Sequence, residues 1–363
     1  MTPIEDLQTP SVLIDLDVLE RNIASMQAHA GAAGVKLRPH AKTHKSPEVG
    51  RMQLTAGAVG LTLAKVSEAE VFAAAGFDDI FLGYPVVGAE KARRLLALSD
   101  RIRIAVGADS EEGAASLSRV FHAAGRRLPV RLKIDCGFHR VGVSPEDALE
   151  TARRIAALPG LSFDGVFTHG GQGYGGETPE QVARIGRDEG RIVAEVAEAL
   201  RAAGLPVAEV SLGSTPTVAA AMTQRGVTEC RPGTYVYNDL SQVTLGTCGF
   251  EDCAMTVLTT VVSVPARDRA VVDAGSKTLS TDPLRPRPDG HGLVLGRRSR
   301  LARLSEEHGV IQIQEGESFR VGDRVRIVPN HACVVANLHD RLIGTRADRV
   351  ETEISVAARG CVQ

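Results

Sequence analysis

From Leu16 to about Ala30 apolar residues recur at helical spacing, with Leu19, Ile23 and Met26 on one face, and a short apolar stretch from Ser11 to Asp15 precedes them. Beyond this helix, short apolar runs alternate with amphipathic segments. The runs Lys36 to Lys42, Gly60 to Val66, Asp79 to Pro85, Arg101 to Gly107, Pro129 to Asp135, Ser162 to Thr168, Glu209 to Leu212 and Thr228 to Pro232 read as eight strands. The segments between them carry helix-start signals, among them Ser67-Glu68, Ser110-Glu111-Glu112, Ser144-Pro145-Glu146 and Thr178-Pro179-Glu180. Eight strands alternating with helices fit a (β/α)8 barrel better than an open doubly wound sheet. From about Thr244 the helical period disappears. The β-rich runs Met255 to Val264, Arg269 to Val272, Ser318 to Val328 and Glu351 to Val356 follow, between turn-rich pieces such as Thr281-Asp282-Pro283 and Arg285-Pro286-Arg287-Pro288-Asp289-Gly290. The expected class is therefore α/β: a TIM barrel over residues 11–243, its opening residues free to pack on the second domain, and an all-β domain over residues 244–363.

Length and charge narrow the class of partner. A chain of 363 residues can bury a large core in two domains. Its 42 basic and 44 acidic residues, net −2, give no electrostatic basis for a nucleic-acid or membrane partner, and point to a small molecule. The opening MTPIEDLQTP has no basic segment followed by an apolar one, and no apolar run approaches a membrane span, so a cytoplasmic protein is expected. Six cysteines without a CxxC pair do not make a disulfide framework.

The polar residues that interrupt the pattern fall where a barrel enzyme keeps its site, at the C-terminal ends of the strands. Lys42 ends the first strand within Leu37–Lys45, LRPHAKTHK, flanked by His40 and His44; in an extended segment the three side chains share a face. A lysine there, partly desolvated and near other cations, becomes a nucleophilic amine, although a strand-end lysine is ordinarily a solvated charge. Lys65 ends the second strand and Tyr84 the third. Asp135 to Arg140 follows the fifth, His169-Gly170-Gly171 the sixth, Gly213-Ser214-Thr215 the seventh, and Arg231 through Tyr235 the eighth. The seventh and eighth loops of such barrels commonly cradle a phosphate, and Gly213, Ser214, Thr215, Gly233 and Thr234 supply glycines and hydroxyls for one. By itself Gly-Ser-Thr is equally a turn capping a helix at Pro216. A phosphate cradle across the mouth from an activated lysine suggests a phosphorylated aldehyde cofactor, pyridoxal 5'-phosphate.

The motifs TPSVLIDLDVLERN, RPHAKTHK, IDCGFHRVGV, VFTHGGQGY, ECRPGTY, VVDAGSKTLS, SEEHG and VPNHACVVANLHD occur in this order over nearly the whole chain. With them the sequence resembles the fold-type III, alanine-racemase-like pyridoxal-phosphate enzymes, and within these the D-serine dehydratase and D-threonine aldolase family. The resemblance implies an N-terminal barrel, a C-terminal β domain and a homodimer with sites near the subunit interface. It makes Lys42 the Schiff-base lysine, sets Arg140 against the cofactor's phenolic oxygen and His169 beside its ring, and places Arg231 against the pyridine nitrogen. Gly213, Ser214, Thr215, Gly233, Thr234 and Tyr235 then complete the cofactor contacts. An arginine keeps its proton, so it leaves the ring a weaker electron sink, and leaving-group departure needs help.

His331-Ala332-Cys333 is the candidate for that help. On a strand the two side chains point the same way, and imidazole with thiolate suits zinc better than magnesium. A His-x-Cys pair also arises by chance as two buried core residues. The resemblance implies a divalent metal here, zinc or alternatively manganese, with His-x-Cys typical of dehydratase-like members and His-x-Asp of D-threonine aldolases. It implies a D-3-hydroxy amino acid as substrate, α-proton removal by Lys42, and loss of the β-hydroxyl as water to give a 2-oxo acid and ammonia. Retro-aldol cleavage to glycine and an aldehyde is the alternative; a racemase and a non-enzymatic cofactor-binding protein are weaker readings. Lys65, Lys277 and Arg285 are the cations that can meet a second substrate carboxylate, against a plain reading of all three as surface charges. His308, in SEEHG, has no role that can be derived from sequence.

Overall fold

The computed structural model describes residues 2–363. Strand β1, Ser11–Asp15, and helix α1, Leu16–Ala32, come first, and Asp15 caps the helix by accepting the Val18 N–H. The barrel strands follow: β2 Lys36–Leu37, β3 Leu61–Leu63, β4 Asp79–Pro85, β5 Arg103–Ala108, β6 Leu128–Lys133, β7 Leu161–Phe167, β8 Glu209–Leu212 and β9 Glu229–Cys230. All pairings among them are parallel, in the order β2-β9-β8-β7-β6-β5-β4-β3. The ring closes between β2 and β3 through a bridge of His40 with Thr62, where Ala41 N–H donates to Thr62 O at 2.9 Å and Thr62 N–H to Pro39 O at 2.8 Å. The expected eight-stranded barrel is present.

Its first strand is shorter than expected. Pro39 has no N–H to continue the ladder, and residues 41–44 turn instead of extending. The shared face expected for His40, Lys42 and His44 is therefore absent. His44 turns into the core, with Nε2 3.3 Å from Gln53 Oε1 and its ring edge-on to Phe72, while Lys42 is left at the barrel mouth.

The alternation of side chains along the strands divides the barrel into two environments. Ile80, Leu82, Val130, Leu132, Val166, Val210, Leu212 and Cys230 pack in one large apolar cluster. The intervening positions carry Phe81, Arg131, Lys133, Phe167, Ser211 and Glu229, all buried, so the other face of the strands is aromatic and charged. At its centre Glu229 accepts from Arg38 Nε at 2.7 Å, Arg131 Nη1 at 2.8 Å and Ser211 Oγ at 2.7 Å. Burial opposes ionisation of Glu229, but the two guanidinium groups outweigh it and hold its pKa down at about 2.

The second domain contains β10 Met255–Ala266, β11 Arg269–Val272, β12 Gly292–Val294, β13 Arg300–Leu304, β14 Gly309–Gln312, β15 Arg324–Pro329, β16 Arg341–Arg346 and β17 Arg349–Ser355. The order β11-β14-β13-β12-β15-β10, with β11 returning to β10, closes a six-stranded antiparallel barrel. Strand β1 joins this sheet, antiparallel to β10 and parallel to β16. Strands β12, β13, β14 and β16 were not anticipated: the first three run to five residues or fewer, with the outward Arg303 and Gln312 masking the apolar period of β13 and β14, and β16 begins and ends on arginine. The strand geometry expected for His331-Ala332-Cys333 is also corrected. Strand β15 ends at Pro329, and Ala332–Leu338 is a helix, α2, with His331 as its extended N-cap residue. No side chain of the helix's own segment caps it; Asp239 Oδ2 accepts the Ala332 N–H at 3.0 Å from the other domain.

Candidate active site

A cavity of about 600 Å³ opens where the C-terminal ends of the barrel strands meet the β domain. The barrel contributes Lys42, Phe138, Arg140, His169, Gln172, Tyr174 and Thr234 to its wall, and the β domain contributes Asp282, Arg285, His331 and Cys333. Of the side chains expected at the site, Lys42, Arg140, His169, Thr234, His331 and Cys333 are thus brought together. Gly213, Ser214, Thr215, Arg231, Gly233 and Tyr235 are not among the lining residues. Arg231 is fully enclosed, with Nε 2.7 Å from Ser211 Oγ and an Nη2–H donated to Thr168 O. Tyr235 gives its hydroxyl to Gln53 Nε2 as acceptor at 2.9 Å and its backbone N–H to Thr215 Oγ1 at 3.1 Å.

Withdrawal from water, reinforced by the charges of Arg140 and Arg231 against the opposing Cys333 and Glu68, holds the Lys42 pKa below the usual lysine value. A larger fraction of neutral amine follows at a given pH. Burial likewise pushes His169 well below the ordinary imidazole range, with Lys42, Lys133, Arg140 and Arg231 adding to the effect. Its Nδ1 lies 3.3 Å from Gly213 O, a contact that a neutral ring makes by donating from Nδ1. Its ring stands edge-on to Phe138 at 5.7 Å, and Arg140 lies over the same Phe138 ring at 4.7 Å.

The fit of the residues to a phosphorylated cofactor rests on unmet donors. Around the seventh and eighth loops, the buried backbone N–H groups of Thr215, Gly233 and Thr234 have no acceptor among the described residues, whereas those of Gly213 and Tyr235 are taken by Glu189 and Thr215. Buried donors without acceptors are costly, and a phosphate supplies acceptors. Gly233 also has close neighbours: a Cβ there would stand 2.9 Å from Thr43 Oγ1 and 3.0 Å from His40 O.

From the β domain, Cys333 meets the barrel wall directly, with Sγ 3.2 Å from Thr43 Oγ1 and 3.6 Å from Thr234 Oγ1. Burial raises its thiol pKa, but the His331 charge and hydrogen bonds from His331 and Thr43 bring it below the usual value. His331 holds its proton to about 11: burial works against the imidazolium, and Cys333, Asp282 and Asp239 more than restore it. His331 Nδ1 is 2.6 Å from Asp282 Oδ2, so Nε2 is the nitrogen that would bind a metal, exchanging its proton and its hydrogen bond to Cys333 for the ion, with a carboxylate behind the ring to orient it. Among the described residues no cluster of three or more His, Cys, Asp and Glu side chains forms a cation site. The imidazole and thiolate by themselves make a two-donor pair of a kind that suits zinc, and any ion held there would need substrate or solvent oxygens to complete its coordination.

Several members of this site were not singled out in the sequence. Asp282 was visible only as part of a turn, Asp239 carried no signal, and Tyr174 entered only as the last letter of a motif. Lys133 is 5% exposed, with Nζ 4.7 Å from the Phe167 ring centroid, and burial drives its pKa well below the usual lysine value. Its strand, LPVRLK, shows the alternation that could have placed it with Arg131. His308 lies outside the cavity, in the turn joining β13 to β14, where its carbonyl accepts the Ser305 N–H.

The profile of the alanine racemase N-terminal domain matches residues 14–241, and that of a serine dehydratase domain matches residues 254–345. The D-threo-3-hydroxyaspartate dehydratase of Delftia sp. (strain HT23) is 38% identical over 346 residues, 90% of this chain and 91% of that one. Its solved structure superposes with a TM-score of 0.92 at 36% identity, covering 98% of this chain and 99% of that one. A D-threonine aldolase of an Arthrobacter species is 35% identical over 365 residues, 99% of this chain and 94% of its own. The crystal structure of the D-threonine aldolase of Filomicrobium marinum has a TM-score of 0.92 at 33% identity and covers 100% of this chain and 98% of its own. No helix among the described residues is long and apolar enough to cross a membrane. The chain thus belongs to the fold-type III, alanine-racemase-like family of pyridoxal-phosphate enzymes that includes the D-serine dehydratases and D-threonine aldolases.

Proposed function

We propose that the protein is a pyridoxal-phosphate- and metal-dependent lyase of D-3-hydroxy amino acids, of the dehydratase type, which converts its substrate to a 2-oxo acid and ammonia. The observation that carries this reading is the meeting, in one cavity, of the Lys42 amine and the His331–Cys333 pair, with Cys333 against Thr43 beside the lysine. Pyridoxal phosphate, when bound, withdraws the electrons left at Cα, and a divalent metal, when bound, polarises the β-hydroxyl as a Lewis acid.

The chain's own residues divide the remaining work. Lys42, with its depressed pKa, takes the proton from Cα. Arg140, reaching the cavity beside Phe138, offers a fixed positive charge to the cofactor's phenolic oxygen. Arg231, locked between Ser211 and Thr168, faces the pyridine nitrogen without giving up a proton, and His169 lies alongside the ring as a neutral imidazole. The N–H groups of Thr215, Gly233 and Thr234, with the seventh-loop residues Gly213 and Ser214 and with Tyr235 holding Thr215, bind the phosphate. His331, steadied by Asp282, and Cys333 hold the metal; their chemistry favours zinc, with manganese second. The working unit is proposed to be a homodimer.

Support for elimination over aldol cleavage comes from Cys333 and from His169-Gly170-Gly171-Gln172-Gly173-Tyr174. The relatives divide between both reactions, and two solved forms of a D-threo-3-hydroxyaspartate dehydratase carry alanine in place of a histidine and of a cysteine two positions apart, the latter described as metal-free. That spacing equals the one between His331 and Cys333. Product analysis tests the reading. Protein loaded with pyridoxal phosphate and zinc or manganese should give a 2-oxo acid and ammonia from D-serine, D-threonine or 3-hydroxy-D-aspartate, and chelation should stop this while the visible absorbance of the cofactor persists. Glycine with an aldehyde would establish the aldolase instead, and inversion at Cα in metal-free protein a racemase.

A further inference from the structure

We infer that Arg285 is a specificity-determining residue, and that it selects substrates carrying a second carboxylate on the β-carbon. The inference rests on the lyase reading above for its reaction and on the cavity wall for its chemistry.

Three cations were candidates for such a contact, and the fold separates them. Lys277 points to the surface, where Glu306 and Glu307 each lie 2.9 Å from its Nζ. Lys65 lies over the Tyr84 ring at 4.3 Å and does not line the cavity. Arg285 lines it, on the β-domain side beside Asp282 and His331. That is the side on which the substituents of the β-carbon must lie if His331 and Cys333 serve the β-hydroxyl.

The segment that carries Arg285 is fixed in place. Asn330 Nδ2 donates to Asp282 O at 3.1 Å and to Gly290 O at 2.9 Å, holding both ends of the segment to the residue next to His331. Arg285 N–H donates to Ser241 Oγ at 3.3 Å, and Ser241 Oγ donates to Asn330 O at 2.8 Å. Leu284 is buried against Leu240, Cys253 and Val328, so the next side chain is sent the opposite way, into the cavity. Arg287, two residues on, reaches Glu177 across the mouth at 3.2 Å.

What Arg285 lacks is an acid. No carboxylate forms an ion pair with its guanidinium among the described residues, and its acidic neighbour Asp282 has Oδ2 committed to His331. A hydrogen or methyl on the β-carbon, as in serine or threonine, leaves that charge unmatched, whereas a carboxylate meets the planar guanidinium with two parallel hydrogen bonds. The substrate class so defined is the D-3-hydroxy amino dicarboxylates.

The test compares the wild type with Arg285→Gln and Arg285→Lys, all loaded with cofactor and metal. Arg285→Gln should lower kcat/KM for 3-hydroxy-D-aspartate on the order of 100-fold, mainly through KM, and leave D-serine within about 3-fold. Arg285→Lys should recover part of the loss. A readout independent of turnover is binding of the unreactive analogues D-aspartate and D-alanine, followed by the cofactor's absorbance: Arg285→Gln should weaken D-aspartate and spare D-alanine. Equal losses for D-serine and 3-hydroxy-D-aspartate, no loss for either, or a wild type that prefers D-serine would overturn the assignment. If no 3-hydroxy amino acid reacts in either manner the lyase reading fails, and the D-aspartate to D-alanine binding ratio still decides Arg285.

Discussion

The two walls of the cavity are built on different principles. The barrel wall is backed by enclosed charges: Arg38, Arg131 and Glu229 are each under 7% exposed, and every one has a defined partner. The β-domain wall stands on a strap, residues 281–290, in which most side chains face solvent and a few bonds through Asn330 and Ser241 fix the backbone. A buried ion network tolerates little change, because removal of one member leaves another charge uncompensated. A strap on the surface can change its side chains at small cost in stability. The comparison teaches which wall can change cheaply: the enclosed charges of the barrel side are bound to one another, whereas the exposed side chains of the strap are not.

The sharpest way to break the contrast is at Lys42. Lys42→Ala should lower turnover by about 10⁴-fold or more, and borohydride treatment of the wild-type holoenzyme should fix the cofactor to the peptide containing residue 42. Attachment at Lys65 or Lys133 would remove the barrel wall's central assignment.

Next is the enclosed network. Glu229→Gln should destabilise the fold by about 3 kcal/mol, read as a lower denaturation midpoint, since it takes the fully buried carboxylate away from Arg38 and Arg131 and leaves them only the partly exposed Asp79 and Asp164. The pH dependence follows from the same shift. The folded pKa of about 2 lies below the ordinary 4.5, so the stabilisation is complete above pH 4.5 and is lost as pH falls from there towards 2. Wild-type stability should therefore drop through that window more steeply than that of Glu229→Gln; parallel curves would show that the carboxylate contributes nothing by being charged.

The smallest effect belongs to the β-domain wall. Asp282→Asn should weaken zinc or manganese binding by about 10- to 100-fold, measured by titration against a chelating dye, while leaving the denaturation midpoint near that of the wild type. A large fall in stability would show that the strap is as integral to the fold as the barrel network.

What the sequence by itself determined was whatever depends on local period and chain order. Eight β/α units place Lys42, Arg140, His169 and Thr234 at one end of a barrel because parallel strands joined by helices leave all their C-terminal ends on the same side. The ordered motifs, together with His331 and Cys333, carried the family. What only the tertiary structure decided depends on partners distant in the chain. His331 and Cys333 face one cavity from the start of a helix, and not from a strand, because Asp239 supplies the cap across 93 residues. Lys42 parts from His44 because Gln53 and Phe72 draw the second imidazole inward. Arg285, one of three equivalent cations in the linear text, becomes the one that lines the cavity because Asn330 and Ser241 hold its strap over the barrel mouth. Periodicity reports which face a residue occupies; only packing between domains reports what that face meets.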